Sequence, residues 1–144
     1  MTIGKKYRFG KYTWTLLDIQ GGKGLFLLSG LLKERKAFHD TLEDVAWGKN
    51  SLCRWIIEWW NDNFSTKQRL DSGTPFLLSI EEYQKYEHII PKVPRWWWLR
   101  SNGHDIGDAA RVSRSGRIDV RGDYINDGIG GGVRPAIWLD LNQM

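Results

Sequence analysis

Two apolar runs near the end of the chain enclose a segment of very different composition, and this contrast constrains the fold more than any other feature. The first run is Trp96-Trp97-Trp98-Leu99, and the second extends from Gly132 to Leu139. Continuous apolar and aromatic runs of this length predict buried strands. Residues 102–132, which separate them, hold half of the chain's 16 glycines, and their formal charges are all Arg and Asp. The pattern predicts an apolar frame around a Gly-rich insert.

Five residue types are missing from that insert. The chain contains 10 Lys, 6 Glu, 4 Gln, 2 Met and 9 Trp, and none of them lies within residues 102–132. A solvent-exposed surface normally uses Lys and Glu freely. One explanation is genetic: AAC or AAT codons with both adenines replaced at random reach Asn, Asp, Ser, Gly, Arg, His, Tyr, Ile and Val, but none of the five. The other is that a turn-rich segment favours short side chains. Composition alone leaves both open.

The totals limit the class of protein. A chain of 144 residues forms one domain, here 1–144, with a core that nine Trp make large. The single cysteine, Cys53, excludes an internal disulfide, a Cys-based zinc site and a redox pair. No apolar run reaches the length of a membrane span. No signal peptide is visible, so we expect a cytoplasmic or virion-associated protein.

The first two-thirds of the chain predicts strands and two helices. Tyr12 to Asp18 alternates like a half-buried strand, and Leu25 to Ser29 predicts a core strand. Ser51 is expected to cap a helix whose apolar face is buried; that face comprises Leu52, Trp55, Ile56, Trp59 and Trp60. Ser79 and Glu82 have the spacing of a capping box, which predicts a second helix.

Alternation returns inside the Gly-rich segment and predicts a β-hairpin with its turn at Arg114-Ser115-Gly116. Val112, Ile118 and Val120 are expected to face inward. The outward positions are then Arg111, Ser113, Arg117, Asp119 and Arg121.

An ordered set of motifs resembles a known family. Trp97-Trp98-Leu99-Arg100-Ser101 is followed by Ala110-Arg111-Val112, Gly116-Arg117-Ile118 and Gly132-Val133-Arg134-Pro135-Ala136, and matching motifs in the first half include Phe9-Gly10 and Leu27-Leu28-Ser29. The set is similar to a widespread domain of bacteria, archaea and their viruses with a C-type lectin-like fold and no assigned enzymatic activity. The resemblance implies an α+β fold with mixed and antiparallel sheets, two helices, and paired N- and C-terminal strands. Asn102-Gly103 stands where the family often has Pro-Gly.

This fold group includes the variable proteins of diversity-generating retroelements. There an error-prone reverse transcriptase rewrites template adenines, and the product replaces a segment near the 3′ end of the target gene. The five absent residue types are what this process would leave. The resemblance therefore implies a ligand-binding protein whose residues 102–132 are diversified to alter specificity. The ligand would be a protein or another cell-surface molecule, and the alternative is an invariant protein- or carbohydrate-interaction domain of the same fold.

The sequence does not favour catalysis, a cofactor or a metal. The related formylglycine-generating enzymes depend on cysteine pairs, and this chain has one cysteine. His39, His88 and His104 lack metal-ligand spacing. Asp123, Asn126 and Asp127 before Gly128 are as typical of a turn as of a calcium loop. The Arg strip at 111–121 is interleaved with Asp, which opposes binding of a phosphate backbone. We expect no enzyme and no cofactor, and a nucleic-acid-binding module is the remote alternative function.

Variable side chains are useful when they point to solvent from a backbone that stays fixed when they change. We predict that fifteen residues form one exposed ligand-binding surface, made of the hairpin's outer face and the loops on either side of it. They are Asn102, His104, Asp105, Ile106, Asp108, Arg111, Ser113, Arg117, Asp119, Arg121, Asp123, Tyr124, Asn126, Asp127 and Ile129. Tyr124 and the arginines are its expected anchors, because Tyr and Arg are enriched among interface hot spots.

Overall fold

A computed structural model describes residues 1–39, 47–67, 72–103, 108–124 and 130–143. The α+β class predicted from the sequence is confirmed: two sheets pack with α-helices, one sheet antiparallel and the other mixed. The strands are β1 Lys6–Phe9, β2 Tyr12–Gln20, β3 Lys23–Leu28, β4 Arg35–Lys36, β5 Trp97–Asn102, β6 Asp108–Val112, β7 Ile118–Tyr124, β8 Gly131–Gly132 and β9 Ala136–Asp140. The helices are α1 Ser51–Asn63 and α2 Ile80–Tyr86.

The first sheet has the order β1-β2-β3-β9 and is antiparallel throughout. Two-residue turns join its first three strands, and all four turn residues have positive φ: Gly10 (57°), Lys11 (73°), Gly21 (57°) and Gly22 (76°). Two consecutive left-handed residues form the hairpin turn whose twist matches that of paired strands. β1 was not predicted from the sequence, because its four residues are exposed or half-buried.

The predicted direct pairing of the N- and C-terminal strands is wrong. β2 and β9 belong to the same sheet, but β3 lies between them and pairs with both. The reason is visible in β3 itself, where Gly24 through Leu28 are all buried. A strand buried along its length occupies the centre of a sheet, where both of its edges are hydrogen-bonded.

The second sheet has the order β4-β8-β5-β6-β7. β5 carries the Trp run and pairs with β8 in parallel and with β6 in antiparallel orientation. Trp98 belongs to a core cluster shared with Trp14 and Phe26 of the first sheet. Trp97 belongs to a second cluster with Leu25 and Leu27. Both sheets therefore contribute to both cores.

Helix α1 closes the first core, but its N-terminus differs from the prediction. The N-cap is Asn50, whose Oδ1 accepts from the Cys53 N–H at 2.8 Å, and Ser51 is the first helical residue. Trp59 and Trp60 are buried as predicted. Trp55 is only half-buried, so its predicted burial is wrong. Its indole lies beneath the Lys36 ammonium, 5.0 Å from the ring centroid.

Helix α2 begins with the predicted capping box. Ser79 Oγ accepts from the Glu82 N–H at 3.1 Å, and Glu82 Oε1 accepts from the Ser79 N–H at 2.8 Å. Two tyrosines then bind the helix to the sheets. The Tyr86 hydroxyl donates to Asp18 of β2 at 2.6 Å, and the Tyr83 hydroxyl donates to the Gly116 carbonyl at 2.6 Å.

Arg134 connects these parts from the interior. Its side chain is buried, and its guanidinium donates to the carbonyls of Leu28 (2.8 Å), Ser29 (2.6 Å) and Pro91 (2.8 Å). The guanidinium carbon also lies over the Trp97 ring, 4.9 Å from its centroid. Burial lowers the pKa of Arg134 to about 10, so the group remains charged at neutral pH.

Trp98 and Trp55 were both expected to be buried, but their replacement should lower the stability of the fold by different amounts. Trp98→Ala removes a fully buried ring and should lower the free energy of unfolding by about 3–5 kcal/mol. Trp55→Ala, at a half-buried position, should lower it by about 1–2 kcal/mol. Urea unfolding of both variants measures the difference, and equal losses would contradict the packing described.

The Tyr86–Asp18 hydrogen bond should make stability depend on pH. It lowers the pKa of Asp18 below its ordinary value of 3.8. A carboxylate with a lowered folded-state pKa contributes stability above its unfolded pKa and loses it as pH falls through the folded value. Tyr86→Phe should therefore lower the free energy of unfolding by about 1 kcal/mol at pH 7. Urea titrations should show this difference shrinking below pH about 4; an undiminished difference at acid pH would argue against the bond.

Candidate functional site

The predicted hairpin exists and is formed by β6 and β7. Val112 pairs with Ile118 and Arg111 pairs with Asp119, so the two pairs face opposite sides of the sheet. The turn between the strands is held by its own side chains. Ser113 Oγ accepts from the Arg117 N–H at 3.2 Å and lies 2.9 Å from Ser115 Oγ.

The inner face of the hairpin is smaller than predicted. Val112 is buried and Ile118 is half-buried, but Val120 is 45% exposed, so its predicted inward packing is wrong. β7 is the outermost strand of its sheet. Side chains of an edge strand have a packed neighbour on one flank only, and alternation cannot reveal this.

Arg111 and Asp119 form an ion pair above a tryptophan. Arg111 Nε and Nη2 donate to Asp119 Oδ2 at 3.2 and 3.1 Å. The guanidinium carbon lies 4.8 Å from the centroid of the Trp96 ring. The Arg111 and Asp119 side chains are 26% and 33% exposed. Stacking and pairing thus fix a polar group that still contacts solvent.

Trp96 packs against Trp98 and against the backbone at Gly131. Its ring meets Trp98 edge to face, with centroids 4.9 Å apart and planes at 86°. Trp98 Nε1 donates to the Lys36 carbonyl at 2.8 Å. A Cβ added at Gly131 would lie 2.4 Å from the Trp96 ring and 2.5 Å from Trp98 Nε1. Only a glycine permits this close approach of strand and rings.

The fifteen predicted residues divide into three groups. His104, Asp105, Ile106, Asn126, Asp127 and Ile129 lie outside the described residues. Asp108, Arg121, Asp123 and Tyr124 lie on β6 or β7, but the description does not extend to their side chains. Asn102 and Arg117 are exposed, while Arg111, Ser113 and Asp119 are half-buried. We call Arg111, Ser113, Arg117 and Asp119 the hairpin face. That all fifteen form one surface stays a prediction.

Cys53 of α1 and His39 beside the start of that helix both occupy packed positions. Cys53 is buried, and burial raises the pKa of its thiol, which keeps it protonated and unreactive. His39 Nδ1 lies 3.0 Å from both the backbone N and the Oγ of Ser51, at the start of α1. Within the described residues, no group of three or more His, Cys, Asp and Glu side chains is placed to hold a metal ion.

Comparison with known proteins found no family model, curated protein or solved structure that matches the chain. In the described part of the chain, no helix is both long and apolar enough to cross a membrane.

Three residues outside the fifteen were not predicted to be part of a site. Trp96 and Trp55 were expected to be buried, and no strand was predicted at Lys36; the structure places Trp96 under Arg111, and Lys36 over Trp55. Gly130-Gly131-Gly132 was the available signal, because glycine within a strand often marks close approach of another group. The three glycines predict that some group packs closely against this backbone, but they do not identify that group as the Trp96 ring.

Gly131→Ala should test whether the support of Trp96 is rigid. The added methyl group would overlap two indole rings and should lower the free energy of unfolding by about 2–3 kcal/mol. Gly30→Ala is the matched control, because no atom lies within 4 Å of a Cβ there. Thermal unfolding of both variants measures the difference. A Gly131 variant as stable as the Gly30 variant would show that the rings can move aside.

Proposed function

We propose that this chain is a ligand-binding protein of C-type lectin-like fold whose residues 102–132 are diversified by a retroelement to change specificity. The ligand is a protein or another cell-surface molecule. The proposal depends mainly on one observation, which is the absence of Lys, Glu, Gln, Met and Trp from this segment of a chain that contains 31 of them. Replacement of adenines in AAC-type codons cannot produce any of these five residues.

Burial within the segment supports the proposal. The buried positions among its described residues are Ala109, Ala110, Val112, Gly130, Gly131 and Gly132. The described Arg, Asp, Asn and Ser residues of the segment are exposed or half-buried wherever their burial is defined. Chemical variety is thus found where side chains reach solvent, and small apolar residues are found where the chain packs. A receptor with a replaceable surface needs this separation.

The flanking motifs supply a second line of support. Trp97, Trp98 and Leu99 precede the segment and are buried in the two cores. Val133 and Arg134 follow it and are also buried. Because the frame is fixed on both sides, a change at the hairpin face need not disturb the sheet that carries it.

An invariant interaction domain of the same fold remains the alternative. The gene distinguishes the two: our proposal requires an adjacent reverse transcriptase and a near-copy of the 3′ segment that differs from it at adenines. A gene without either would favour the invariant domain. Nucleic acid is a weaker candidate, because the Arg111 guanidinium is already paired with Asp119.

Exchange of the hairpin face should leave the fold intact. We expect Arg111→Asn, Ser113→Tyr, Arg117→Ser and Asp119→Tyr together to shift the melting temperature by no more than about 5 °C, because partly exposed ion pairs contribute little. Val112→Asn is the control from the same strand; it buries an amide at a 2% exposed site and should lower the free energy of unfolding by about 2–4 kcal/mol.

Randomising the same four codons in a displayed library should then yield binders to an arbitrary folded protein such as hen lysozyme. Circular dichroism melts and selection from the library measure the two properties. Exchanged variants that melt as low as the Val112 control would contradict the proposal.

A further inference from the structure

A groove of about 310 Å³ lies between β4 and the first turns of α1. Its chemically distinctive residues are Lys36 of β4 and Arg54, Trp55 and Glu58 of α1. None of them belongs to residues 102–132. Trp55 is the only half-buried member of the Trp stripe of α1, since Trp59 and Trp60 are 7% and 3% exposed. The helix therefore presents one indole to the groove and two to the core.

The charges of the groove suit an anion of single charge. Among the described residues that line the groove, Lys36 and Arg54 supply two cations and Glu58 one carboxylate, a net charge of plus one. Among the described residues, neither cation is in an ion pair. An ammonium and a guanidinium around a carboxylate form short, charge-assisted hydrogen bonds. Glu58 disfavours a dense polyanion, and the Trp55 ring offers apolar contact to the carbon chain that carries the acid.

The groove and the hairpin face lie on the same side of the second sheet, with β8 and β5 between β4 and β6. Lys36 pairs with Gly131 in the second sheet, so their Cβ positions lie on the same side. The Trp96 ring covers Gly131 on that side, and Arg111 lies over Trp96. A ligand in contact with Arg111 and Asp119 is therefore next to Trp96, and beyond Trp96 lies Lys36.

We propose that this groove is a constant subsite that binds an acidic side chain, Asp or Glu, of a protein ligand. The inference rests on the proposed function in taking the ligand to be a protein. The groove then supplies the same anchor to every variant, while the hairpin face decides which neighbouring surface is accepted. Trp and Arg are the residue types most enriched among interface hot spots, and both line the groove.

The test uses the whole chain labelled with ¹⁵N and a small probe. Acetyl-Glu-amide, which carries one carboxylate, is titrated while the Trp55 indole N–H is followed by NMR, its signal being assigned as the one lost in Trp55→Phe. We expect saturable shifts with a dissociation constant of about 1–10 mM. Acetyl-Gln-amide should cause none, and the affinity should fall as salt is raised. Lys36→Ala with Arg54→Ala should weaken binding by at least about tenfold.

Matched controls separate the groove from general charge attraction. Lys6→Ala with Arg8→Ala removes one Lys and one Arg from exposed positions of β1, in the other sheet, and should leave binding unchanged. Equal loss in both double variants, or equal shifts with acetyl-Gln-amide, would overturn the subsite. Tighter binding of glucuronate than of acetyl-Glu-amide would overturn the protein side chain as its occupant.

The test is independent of the proposed function. A gene without a reverse transcriptase and template copy would refute diversification and leave the acetyl-Glu-amide titration unaffected. Conversely, a Trp55 indole signal that does not shift during the titration would refute the subsite. The library selection would still test the hairpin face.

Discussion

The rest of the structure depends on a buried cation. Arg134 follows the Gly-rich segment almost immediately, and its guanidinium holds the end of β3 and the Pro91 loop through three carbonyl oxygens. Burying a charge is costly unless hydrogen bonds replace the lost water, and here backbone carbonyls and the Trp97 ring replace it. Without Arg134, these three carbonyls would lose the hydrogen bonds that it donates. The contact therefore satisfies both sides and fixes where the chain re-enters the core.

The molecule separates what must stay constant from what can change. Trp98 and Arg134 are almost fully buried, so a change at either alters the packing of both sheets. Arg111 and Asp119 are a quarter to a third exposed, and an ion pair of that exposure contributes about 0–1 kcal/mol. Trp96 lies at the boundary between the two sets, because Arg111 covers its ring and Gly131 fixes its position. Under the proposed function, stability and recognition would therefore depend on different residues.

Local features of the chain could be predicted from sequence, and long-range ones could not. The capping box at Ser79 and the apolar period of α1 depend on residues three or four apart, so the sequence contains the whole signal. Val120 shows the limit, since alternation predicts a side and not whether anything packs there. Trp55 has the right period and packs against the first core, yet it is only half-buried, with the Lys36 ammonium over its ring. The position of β3 between β2 and β9, and the neighbourhood of Lys36, Trp96 and Arg111, arise from contacts between distant parts of the chain.

The close packing of the Trp96 and Trp98 rings against Gly131 bears on how a diversified gene segment would be inherited. The buried positions among the described residues of 102–132 are occupied by Ala, Val and Gly, whose codons begin GC, GT and GG. None of these codons has adenine at its first or second base, and neither does the codon of Trp. If the template copy has these same codons at the buried positions, an enzyme that miscopies adenine would change side chains at the hairpin face and leave the amino acids beneath them unaltered. The buried positions that packing requires to stay constant would then also be the positions that the enzyme does not change. New copies of the gene would keep a foldable scaffold without selection against misfolded variants.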